Sequence, residues 1–141
     1  MTPGYHPWRD ARRRPALDIV FVDHLPAGVR GRTCGNLIEI NADALQRERR
    51  CALAHELVHH ERGIVPADPV LLAREESVVE RAAARRLIAL DRLLDVLLWT
   101  SHAEEIADEL WVDVPMLRAL VADLTPAERR WIDTELSRRA A

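Results

Sequence analysis

The spacing of apolar and polar residues changes character along this chain, and each change predicts an element. Leu17-Asp18-Ile19-Val20-Phe21-Val22 is a short run rich in β-formers, closed by Pro26 and Gly28. Arg30–Thr33 predicts a second strand, turned by Cys34-Gly35-Asn36. Leu37-Ile38-Glu39-Ile40 alternates apolar with polar and predicts a third. The links between these runs are too short for helical crossovers, so the pattern predicts a small sheet of mostly antiparallel pairs. From Ala44 the period lengthens into a helix reaching about Arg62, with Asn41 and Asp43 as N-cap candidates and Gly63 as the stop. Asp68-Pro69 then reads as an N-cap and first helical position, opening a second long helix over about 70–88. Asp91 predicts the cap of a short helix through Trp99. Ser101 with Glu104, and Thr125 with Glu128, are spaced as capping boxes for two more.

Strands followed by helices make this an α+β chain. At 141 residues, 48% of them hydrophobic, it is long and apolar enough for one compact domain with a small appendage. The expected division is 1–98 for the sheet and the two long helices, and 99–141 for a helical extension. Residues 1–16, with several prolines and the run Arg12-Arg13-Arg14, are expected to be a solvated, flexible arm onto which Tyr5, His6 and Trp8 can fold.

Charge narrows the function classes. All 20 basic residues are arginine, yet the net charge is −3, which argues against a protein that coats nucleic acid. Two cysteines, Cys34 and Cys51, are too few for a secreted disulfide scaffold. No stretch has signal-peptide form, and none approaches the about 20 apolar residues of a membrane span. A cytoplasmic location is expected.

The chemistry concentrates in His55-Glu56-Leu57-Val58-His59. Positions i and i+4 of a helix share one face a turn apart, so two imidazoles can grip one ion. This is the H-E-x-x-H pattern of zinc proteases, with Glu56 as general base. A catalytic zinc site needs a third protein ligand and leaves one position open. Glu76 and Glu80, again i and i+4, lie on the second helix. One carboxylate would bind the ion and the other would hold the free N–H of a ligating histidine. Glu76 is taken as the ligand and Glu80 as its support, with the reverse also open. Glu75 is expected on a solvated, arginine-paired face. Cys51, one turn before His55, is expected to be a small buried filler. His60 points about 100° away from His59, and His102 falls in an expected loop. No partner is evident for His6 or His24. The expected cofactor is Zn2+, with Mn2+ or another divalent ion as alternatives. Zinc lowers the pKa of its water to ~7, and Glu56 would carry that water's proton to the leaving amine.

The run from Arg49 to His59, then Glu61-Arg62-Gly63, then Glu76-x-x-Val79-Glu80-x-x-Ala83-Ala84-x-x-Leu87-Ile88, resembles the ImmA/IrrE family of small metallo-endopeptidases. The resemblance covers about residues 17–98. It implies a minimal zincin-like fold and a protein substrate, specifically a helix-turn-helix repressor of a prophage, mobile element or stress operon. Residues 105–118 have helix-turn-helix spacing of their own. The would-be recognition helix offers only Arg118 as a basic group, which fits a packing or docking unit better than a DNA reader. The rival expectation is a non-enzymatic regulator that binds DNA or a repressor through this segment.

Overall fold

The computed structural model of the chain describes residues 4–140. Within them, α1 (Pro7–Arg12) leads into strands β1 (Asp18–Val22), β2 (Gly31–Cys34) and β3 (Leu37–Asn41). Six helices follow: α2 (Gln46–Arg62), α3 (Pro69–Leu87), α4 (Leu90–Leu97), α5 (Ala103–Glu109), α6 (Val114–Asp123) and α7 (Pro126–Ala140). The chain is α+β, as its pattern predicts. No helix among the described residues is long and apolar enough to cross a membrane.

The sheet corrects the expectation of mostly antiparallel pairing. Its order is β1-β3-β2. β3 pairs parallel with β1, Ile19 opposite Ile38, and antiparallel with β2, Arg32 opposite Glu39. The β2–β3 hairpin itself serves as the crossover, so a parallel pair forms without a helix between its strands. β2 is consequently an edge.

α2 is covered on two sides. Leu53 and Leu57, one turn apart, are fully buried against Ile38 and Ile40 of the sheet, with Ala11 and Leu17. Each such leucine contributes roughly 1.5–3 kcal/mol. Cys51, Ala54 and Val58 face the other way, into a cluster with Val79, Ala83 and Ala84 of α3. The alanines let the two helices approach closely. That cluster continues without a break through Leu93, Ile106, Met116, Leu120 and Ile132, so α4 to α7 share a core with the two long helices.

Several ends differ from expectation. The expected arm, within the described residues, carries a helix. Pro7 and Ala11 of α1 are buried, and the Trp8 ring lies 5.6 Å from that of Phe21. Apolar burial holds the segment down despite its arginines. Asn41 does not cap α2; its side chain accepts from the Asp43 N–H in a local turn. Leu45 is the N-cap residue, and its N–H donates to Glu48 at 2.9 Å. α5 starts one residue later than Ser101 would allow, with His102 at the N-cap and Thr100 bonding Glu105. Asp68 caps α3 as read, accepting from the Val70 and Leu71 N–H groups. Thr125 and Glu128 make both bonds of a capping box.

Candidate metal centre

The double coverage of α2 leaves a narrow polar stripe between β2 and α3. His55, Glu56 and His59 lie in it. Gly63 ends the helix in the left-handed conformation at φ 66°, where glycine carries no Cβ penalty, and donates to the His59 carbonyl. The two imidazole rings stand 4.8 Å apart, nearly edge to face.

α3 runs alongside and brings Glu76 and Glu80 to the histidines. His55 Nε2 lies 3.0 Å from one Glu76 oxygen, and His59 Nε2 lies 2.9 Å from the other. Behind the first ring, His55 Nδ1 lies 2.6 Å from Glu80 Oε2. A carboxylate at Nδ1 holds the proton there and leaves Nε2 its lone pair. Burial pushes His55 toward its neutral form. The Glu80 hydrogen bond and the charges of Glu80, Glu56 and Glu76 outweigh it and raise the pKa. His55, His59 and Glu76 each offer an atom within 4.8 Å of the others. Two imidazole nitrogens and one carboxylate oxygen are a donor set that suits zinc.

Glu56 is buried, 7% exposed. The Thr33 hydroxyl of β2 donates to its carboxylate and stands 3.4 Å from its backbone carbonyl. β2 passes so close that a Cβ at Gly31 would meet Glu56 Cγ at 3.1 Å. Gly31 and Thr33 were not singled out in the sequence. Their i, i+2 spacing in a predicted strand was the available signal, since it places both on one face.

Two clefts meet at this stripe, and both are lined by Gly31, Glu56 and Glu76. The larger, about 580 Å³, extends past His55 and Glu80 to Glu48, Asp113 and Met116. The smaller, about 340 Å³, extends past His59 and His60 to Ile64, Val65 and Leu72.

Other candidates fall elsewhere. Glu75 is not on a solvated face. It is 6% exposed and paired with Arg62, which holds its carboxyl below the usual range. His60 bonds Asn36 at 3.0 Å, His24 lies 3.0 Å from Glu39, and His6 caps α1. Cys51 is buried, its sulfur accepts from the Asp113 N–H at 3.4 Å, and burial pushes its thiol up to about 12.

No family model, curated protein or solved structure matches this chain.

Proposed function

We propose that the chain is a zinc-dependent endopeptidase acting on a protein substrate, with Mn2+ as an alternative ion. The observation that carries this reading is the convergence of His55, His59 and Glu76 beside a buried Glu56, where two clefts meet. Zinc held by those three side chains would polarise a substrate carbonyl and lower the pKa of a water to ~7. Such an ion would take Nε2 of His55 and of His59, with Glu80 holding the His55 proton on Nδ1. Glu56 takes the proton of the attacking water and returns it to the leaving amine. Thr33 fixes the Glu56 carboxylate, and Gly31 leaves it room.

An extended peptide suits the edge strand β2, where main-chain hydrogen bonds to the free side of the strand would align it. One cleft would then receive side chains among carboxylates, the other among exposed Ile64, Val65 and Leu72. The resemblance to ImmA/IrrE peptidases supports a DNA-binding repressor as the substrate. α6 packs along α3 with Met116, Leu117 and Leu120 buried, which favours a structural role for the helix-turn-helix-like segment over direct DNA reading.

The test is Glu56→Gln in the full chain, incubated with zinc and a helix-turn-helix repressor as candidate substrate, beside the wild type. Bound metal should stay at the wild-type level while cleavage falls about 10²- to 10⁴-fold. Full cleavage by a metal-loaded variant would overturn the mechanism.

A further inference from the structure

On the side of α2 away from the clefts, a third cavity of about 230 Å³ lies between α2, the end of α3, the start of α4 and the α5–α6 turn. Three arginines line it, Arg50, Arg86 and Arg92, with Tyr5, Trp111 and a single carboxylate, Glu109. Among the described residues only Arg86 has a carboxylate partner, Glu61, and Glu61 also serves Arg14. Arg50 donates to two backbone carbonyls, Trp111 at 2.9 Å and Tyr5 at 3.4 Å. Burial, with no carboxylate to offset it, pulls its pKa down. Arg92 carries an exposed guanidinium with no ion pair among the described residues. Arg85, by contrast, meets both Asp123 and Glu128. Here positive charge converges on a concave surface and is left over.

The backbone at this spot is also held in an uncommon state. α5 ends in a turn in which Val112 N–H bonds Ala107 C=O and Trp111 N–H bonds Asp108 C=O. That pattern calls for glycine at the residue in the left-handed conformation. Trp111 occupies it, at φ 60°, and is the one non-glycine residue with positive φ among those described. A bulky residue there is strained, and such strain gathers at ligand clamps. The Trp111 carbonyl is the one that receives Arg50, and its half-exposed ring lines the cavity.

We propose that Arg50, Arg86 and Arg92 form a binding site for a phosphate group, either free inorganic phosphate or the phosphate of a small nucleotide. Arginine forks match phosphate oxygens, and each charge-assisted bond there is stronger than a neutral one. A cavity of this size encloses the phosphate itself and leaves any nucleoside to lie over Trp111. The site stands apart from the His55–His59–Glu76 cluster, so neither proposal depends on the other.

The full chain is titrated by calorimetry with inorganic phosphate and, separately, with AMP, against sodium chloride at matched ionic strength. Saturable phosphate binding is expected, weakened about tenfold or more by Arg92→Ala and by Arg50→Gln. Arg92 is exposed, so its variant should fold normally, and unchanged melting confirms that it does. Glu109→Gln should tighten binding. Tighter binding of AMP with quenching of tryptophan fluorescence, lost in Trp111→Phe, would identify a nucleotide site; equal affinity would identify a phosphate site. Binding that chloride reproduces, that survives Arg92→Ala unchanged, or that is absent for both ligands would overturn the proposal.

Discussion

Two faces of α3 handle charge in opposite ways. Toward its C-terminus, Arg85 bonds Asp123 at 2.9 Å and Glu128 at 2.6 Å, while Arg81 stands 4.0 Å from Asp123. Two cations meet two anions, and the cluster is complete as the chain supplies it. Five and nine residues before Arg85, Glu80 and Glu76 meet two imidazoles, with Glu56 close behind. Three carboxylates face two rings whose useful form is neutral. The first arrangement ties α3 to the α6–α7 junction. The second holds negative charge in excess, and a divalent cation is what would balance it. One helix can therefore carry both a structural brace and a candidate metal centre, distinguished by whether the opposing charge belongs to the chain.

That contrast can be broken from either side. The largest effect is the loss of cleavage in Glu56→Gln, with metal retained. Next, Glu80→Gln should weaken zinc binding about 10- to 100-fold, because His55 loses the group that fixes its tautomer; competition with a chromogenic chelator reads this directly. Arg85→Ala should do the reverse. Stability in urea should fall by about 1–2 kcal/mol, since Asp123 and Glu128 lose their partner, and zinc affinity should not change. The smallest effect is one of pH. The Arg85 hydrogen bond and the Thr125 N–H lower the Glu128 pKa from 4.5 to about 2. A depressed folded-state pKa gives stability that is present above 4.5 and lost as pH falls toward 2. The stability gap between wild type and Glu128→Gln should be open at pH 6 and narrow by pH 3.

Local chemistry made much of this legible in the sequence. Gly63, Asp68-Pro69 and the Thr125–Glu128 box mark helix ends with residues whose own side chains or φ set the boundary. The i, i+4 pairs His55–His59 and Glu76–Glu80 could be placed on helix faces for the same reason, although no pattern within one helix says that two faces will meet. Long-range features escaped. The parallel β1–β3 pair depends on the hairpin folding back beside β1, which no residue of either strand encodes. Glu75 and Glu76 are neighbours of one type, yet one is buried on Arg62 and the other lies between two histidines. Their fates follow from the position of α2, a fact of packing. Trp111 in a glycine conformation was invisible for a related reason, since sequence preference argues against the turn that tertiary contacts impose.

The most direct test is a zinc titration of the full chain beside His59→Ala, with bound metal counted after dialysis. One ion per wild-type chain, and essentially none on the variant, is the expected result. A wild-type chain that holds no zinc, or a His59→Ala chain that holds it equally well, would contradict the account.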